Sequence, residues 1–139
     1  MKHDPEMLLP HTLQSAACHS GAEWGWRPET IPLVIDAAEK LGLLNIGGQL
    51  QFLLPQGTCE CYWVEVAALT GEPNGLTWAE RVARAARVAR QQMVDISFRY
   101  DFIEEGRKAF TDPFAAYEAA GGNLQDCIWF IWYLEAERR

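Results

Sequence analysis

With 139 residues, a formal charge of −7, 49% hydrophobic and 22% charged residues, the chain has the composition of one globular domain whose core needs no staples. That balance excludes a disordered chain, and the net negative charge disfavours duplex nucleic acid and anionic lipid as general ligands while favouring basic partners. The longest apolar run, Cys127–Leu134, falls far short of the roughly 20 residues that a bilayer span requires.

Residues 1–23 carry short apolar patches, Met7–Leu9 and Leu13–Cys18, punctuated by Pro5 and Pro10. They predict a strap over the core with a short helix near 11–18. Acids and prolines stand where a signal peptide needs an uninterrupted apolar stretch, so a cytoplasmic chain with reduced Cys18, Cys59, Cys61 and Cys127 is expected. Trp24-Gly25-Trp26 then leads into two prolines, Pro28 and Pro32, which suit a first helical turn because its N–H groups have no partner to lose. A helix over 28–41 follows, stopped by Gly42.

Leu43–Ile46 reads as a short strand and Gly47-Gly48 as a bend before the strongest signal in the chain, a β-hairpin. Its apolar-rich arms, Gln49–Leu54 and Cys59–Ala67, flank the turn formers Pro55-Gln56-Gly57-Thr58. A turn centred on Gln56-Gly57 pairs Leu54 with Cys59, Phe52 with Cys61 and Leu50 with Trp63, giving one apolar face. The other face carries Gln49, Gln51 and Leu53 opposite Val64, Tyr62 and Glu60. An isolated hairpin is marginal in water, so helices must cover its apolar side.

Thr70 to Gly75 is dense in turn formers and ends the sheet. Thr77 with Glu80 three residues later forms a capping box, so a helix opens at Trp78. Trp78, Val82, Ala85, Ala89, Met93 and Ile96 make its apolar stripe. The helix is expected to reach Ile96, with the stretch Phe98–Glu105 undecided and Gly106 as a stop. Asp112-Pro113 opens a short helix over 113–120, closed by Gly121-Gly122. Asn123 caps a last helix, apolar nearly all round between Cys127 and Leu134. The expected fold is α+β, a single domain over residues 1–139 with a central hairpin and a third short strand packed against about four helices.

No residue pattern here specifies a reaction. Cys59-x-Cys61 supplies two soft ligands, with Cys18-His19 the nearest candidates to complete a zinc site; two strand-spaced thiols more commonly pack as small apolar residues. His3, His11 and His19 lack the nucleophile and orienting partner that catalysis needs. Glu60 and Glu65 fall on opposite faces of the predicted strand, Glu65 beside Cys61 and Trp63, and cannot act as paired acids there. No catalytic residue, metal or cofactor is expected. The row Arg81, Arg84, Arg87 and Arg90 winds along the polar side of its helix, as a docking strip for nucleic-acid backbone or an acidic protein, or as a solvated face screened by the chain's own acids.

In its small size, acidity, glycine-bounded hairpin (Gly47-Gly48 to Gly57) and unpaired aromatic residues, the chain resembles bacterial immunity proteins that protect a cell from delivered toxins. The resemblance implies a non-catalytic inhibitor that occludes a basic toxin, with Glu60, Glu72, Asp101, Glu104 and Glu105 and the neighbouring Tyr62 and Tyr100 as candidate contacts. The competing expectation is a small-molecule binder or enzyme with an aromatic pocket between hairpin and helices, lined by Trp24, Trp26, Tyr62 and Trp63. A homodimer through the last helix is a third.

Overall fold

The computed structural model describes residues 4–138, so His3 lies outside the described residues. Pro5–Leu8 forms a 3-10 turn and His11–Ala16 a short helix, α1, close to expectation. The strap then folds into an unforeseen hairpin, β1 (Cys18–Ser20) and β2 (Glu23–Trp26), with Gly21 at φ +62° in its turn. Strand alternation sends Trp24 and Trp26 into the core and leaves Glu23 and Gly25 on the other side. Both indoles are anchored: Trp26 Nε1 donates to the Leu13 carbonyl at 2.7 Å and Trp24 Nε1 to Asp4 at 3.4 Å.

After a 3-10 turn at Pro28–Thr30 comes α2 (Ile31–Lys40), stopped by Gly42 in the left-handed region at φ +72°. The main hairpin is longer than expected. β3 (Leu44–Leu54) runs straight through Gly47-Gly48, absorbing the separate short strand, and β4 (Gly57–Ala67) returns beside it. Pro55-Gln56 alone makes the turn, so Leu54 pairs with Gly57, Phe52 with Cys59 and Leu50 with Cys61. The expected register is corrected by two residues. An even shift keeps every side chain on its face, so Phe52, Cys59 and Cys61 remain in the core.

The pairing then jumps from Leu50–Cys61 to Gln49–Glu65. This bulge turns Tyr62 and Trp63 outward together and reverses the alternation, burying Val64 and Val66 and exposing Glu65. Trp63 and Glu65 therefore leave the apolar face on which simple alternation placed them.

The largest correction concerns the C-terminus. Asn123 caps only a 3-10 turn, Leu124–Cys127, and the apolar run beyond it is a strand, β5 (Ile128–Glu135), in the middle of a five-stranded antiparallel sheet of order β1-β2-β5-β3-β4. A run apolar on all sides reads equally as a buried helix or a buried strand. Its β-branched and aromatic residues and its eight-residue length decide for the strand. The segment on which a homodimer interface was expected is therefore an inner strand of the sheet and not a helix.

Between β4 and β5 lie three helices: α3 (Trp78–Arg99), α4 (Phe102–Ala109) and α5 (Thr111–Ala119). The described residues thus form five α-helices rather than about four. The predicted stripe of α3 is buried from Val82 to Ile96. Asp101 caps α4 by accepting from the Glu104 N–H, and Gly106 stops nothing: it sits mid-helix, where Phe114 and Phe52 press so close that a side chain would not fit. α5 starts at Thr111, with Asp112 in its first turn rather than as its cap.

All helices that reach the sheet meet it on one side. Ile35 of α2 accepts from Asn45, Leu13 of α1 accepts from Trp26, and Phe114 of α5 packs edge-on to Phe52 with ring centroids 4.9 Å apart. Phe130, Trp132, Leu50 and Cys61 complete this core. The row of arginines is largely consumed inside this layer. Arg81 pairs with Glu72 at 2.7 Å, Arg84 reaches the Ala68 carbonyl, and Arg90 bridges Asp36 and Glu39 of α2.

Thr77 and Glu80 form both bonds of the capping box, at 3.1 and 3.0 Å. Thr77→Ala is expected to cost about 1 kcal/mol, read as a lowered urea midpoint at unchanged m-value.

Candidate functional site

The period of two that fills the core from one side of the sheet must present the alternate residues on the other. Register places Glu23 and Gly25 of β2, Trp129, Ile131 and Tyr133 of β5, Gln49, Gln51 and Leu53 of β3, and Thr58, Glu60 and Glu65 of β4 on that side. No described helix side chain hydrogen-bonds to Glu23, Gln49, Gln51, Glu60 or Tyr133, and Glu65, at the β4 edge, shares a hollow with Gln92, Asp95 and Arg99 of α3. Even so, Ile131 and Gln51 are both 0% exposed, so this face is layered by its own side chains.

Those side chains form two linked polar groups. Tyr133 donates its hydroxyl proton to Glu23 Oε2 and accepts from Gln49 Nε2 at 3.0 Å. Gln51 Nε2 donates to Glu60 Oε1 at 3.4 Å, while its own Oε1 is buried without a donor. A buried carbonyl oxygen without a donor is costly, so a donor that reaches it would stabilise the fold. At the end of the face, the Arg27 guanidinium lies 3.8 Å from the Trp129 ring centroid and donates to the carbonyls of Gln125, Asp126 and Ile128. None of the strand positions on this side is basic.

Burial, reinforced by the bond to Glu23 and the nearby Glu60 carboxylate, pushes the Tyr133 phenol above its ordinary ionisation range; Gln49 acts in the opposite sense. Folded Tyr133 therefore keeps its proton at a pH where the unfolded chain has begun to lose it. Stability must fall as pH rises through roughly 10, with no contribution to the slope at neutral pH. The urea midpoint of the wild type is expected to drop more steeply between about pH 9.5 and 11 than that of Tyr133→Phe. Equal slopes would contradict the placement of Tyr133.

The expected contact residues scatter. Glu60 and Tyr62 are exposed on β4, and Tyr62 packs edge-on against Trp63 at 5.4 Å. Trp63 Nε1 donates to Glu105 at 2.9 Å, which brings the start of α4 to the edge of β4. Glu104 stays exposed on α4 near Arg107. Asp101 is occupied as a cap, and with Tyr100 it lines a different hollow, shared with Pro28 and Gln125. Glu72 is bound to Arg81 in the turn after β4. The structure therefore gathers Glu60, Tyr62, Trp63 and Glu105 and separates Glu72, Tyr100 and Asp101 from them.

The aromatic pocket does not form. Trp24 and Trp26 stack on each other inside the core at β2, whereas Tyr62 and Trp63 lie on the far edge strand, with two strands between. Two hollows, each about 590 Å³, flank α2 on the helix layer; their walls include Pro32, Met93 and Phe98 in one and Leu8, Leu33 and Leu41 in the other. Both are open and mainly apolar. Among the described residues no three His, Cys, Asp or Glu side chains gather as a metal site. Burial pushes the Cys61 thiol up to about 12, and the neighbouring Cys59 and Glu105 act in the same direction.

Glu23, Trp129 and Tyr133 were not foreseen as site residues. The amphipathic Gln49-x-Gln51-x-Leu53 alternation was the available signal, and it did identify the second hairpin face. Compared with known proteins, the chain matches no family model, no curated protein and no solved structure.

Proposed function

We propose that the chain is a non-catalytic, cytoplasmic binding module that docks on a basic protein and occludes it, as an immunity protein does with its toxin. The observation that carries this reading is the polar side of the sheet: Glu23, Glu60 and Glu65 stand on it without a basic strand residue, beside the exposed Tyr62 at the β4 edge. Acidic charge speeds encounter with a basic partner, and aromatic side chains such as tyrosine and tryptophan supply the anchoring area that interfaces need.

Photo-cross-linking residues at positions 58 and 62, with one at the exposed Arg87 on the helix layer as control, test the reading in cells that make the protein. The expected result is a single basic protein captured from positions 58 and 62 and not from 87. Its affinity should fall with added salt, and Glu60→Lys should weaken it about a hundredfold, since a like charge facing a basic surface costs several kcal/mol. Capture from position 87 alone, or an affinity indifferent to Glu60→Lys, would refute it.

A further inference from the structure

We propose that the partner is recognised through an arginine side chain, whose guanidinium enters the polar face of the sheet between β3 and β4 and is held by the Gln51 carbonyl and the Glu60 carboxylate. The inference rests on the docking surface proposed above and adds the chemistry of its central contact. Gln51 is fully buried, yet its Oε1 has no donor among the described residues, and register puts it between Glu60 on β4 and Trp129 on β5. The missing group is therefore a hydrogen-bond donor.

The surroundings define that donor further. Glu60 is exposed and tied down only by the 3.4 Å bond from Gln51, at the long end of hydrogen-bond range, so it can turn towards an incoming cation. Glu23 and Glu65 add negative charge on either side along the same face. A donor that satisfies a neutral carbonyl and a carboxylate together needs more than one N–H group, and a planar fork offers them without reorientation. Guanidinium does so with five, whereas an ammonium is a compact, strongly hydrated point charge that gives up its water reluctantly. The face already holds one guanidinium in its own chain, Arg27 over Trp129, so its aromatic and carbonyl groups suit that ion.

The probes are N-acetyl-arginine methylamide, its lysine counterpart, its uncharged citrulline counterpart and free arginine, each titrated into the full chain by NMR. The arginine amide is expected to shift the Gln51 side-chain amide and the Ile131 methyl signals saturably. The lysine amide should bind at least about fivefold more weakly and the citrulline amide not measurably. Glu60→Gln and Gln51→Met should each weaken the arginine amide about tenfold. Glu60 is exposed, so its variant reports even if Gln51→Met fails to fold.

Equal binding of arginine and lysine amides with shifts spread over the acidic surface would overturn the proposal, as would unchanged affinity in Glu60→Gln. Free arginine binding more tightly than the capped amide would also overturn it, because the ligand would then be the amino acid and not a partner's side chain. Capture of a basic protein at positions 58 and 62 without arginine selectivity would leave the docking surface standing and remove only this contact.

Discussion

Gly48→Val is expected to yield no folded protein, and Gly48→Ala to lose at least about 4 kcal/mol, a large part of the ~5–15 kcal/mol that holds a domain together. A Cβ at this position would stand 1.7 Å from the Ile131 carbonyl oxygen and 3.1 Å from the Trp132 Cα. Neither neighbour is a flexible side chain that could turn away; both are backbone of the central strand. Relief would require β3 and β5 to separate, and β5 joins the two halves of the sheet. The β3–β5 register also slips between Asn45 and Gly47, so the strands approach closely where the ladder is irregular. Far-UV circular dichroism and urea unfolding measure the outcome. A Gly48→Ala variant within about 1 kcal/mol of wild type would show that this approach is wrong.

Trp132→Ala should cost about 3–5 kcal/mol from lost packing alone. Trp132 is fully buried on the helix side of β5, and its indole N–H donates to Asn45 Oδ1 at 2.9 Å. Asn45, itself 0% exposed, passes the connection on by donating to the Ile35 carbonyl in α2. Truncating the indole therefore leaves a cavity and strands a buried carbonyl oxygen, an added penalty of about 1–3 kcal/mol that overlaps with the packing loss. Trp132→Phe separates the two effects, because it keeps most of the apolar volume and removes the donor. The expected order of urea midpoints is wild type, then Trp132→Phe, then Trp132→Ala. If the phenylalanine variant equalled wild type, the bond to Asn45 would contribute nothing measurable.

Where local chemistry dictates conformation, the sequence was readable. Thr77 and Glu80 must satisfy two orphan N–H groups, and the helix does begin there. Pro55 and Gly57 bracket a turn between apolar arms, and the hairpin forms, with a register error of two residues that leaves its faces intact. The failures share a cause. At Tyr62-Trp63 the alternation reverses through a bulge, which no count of period two can anticipate. From Ile128 to Leu134 the core side is packed and Ile131 is buried on the other, so the hydrophobic pattern loses the period that separates strand from helix. Misreading that strand concealed the site as well, because Trp129, Ile131 and Tyr133 share a face with Gln49 and Gln51 only when residues 128–135 are extended.

The acidic surface suffered from a related limit. Composition announces excess carboxylates but not which of them are already occupied. Asp101 serves as a cap, Glu72 binds Arg81, and Asp36 and Glu39 hold Arg90, so these acids are committed within the chain. Glu60 accepts a single long bond and faces outward on a strand, which leaves it available.

Thiol labelling of single cysteines introduced at Thr58 and Arg87, both exposed, tests the bare sheet face most directly when run on purified protein and again in the cells that make it. Both should react rapidly in purified protein, and that at 58 should slow by about tenfold or more in cells while that at 87 does not, as expected of an interface core shielded from solvent. Slow reaction at 58 in the purified chain, or protection at 87 alone in cells, would mean that this side of the sheet is not the binding surface.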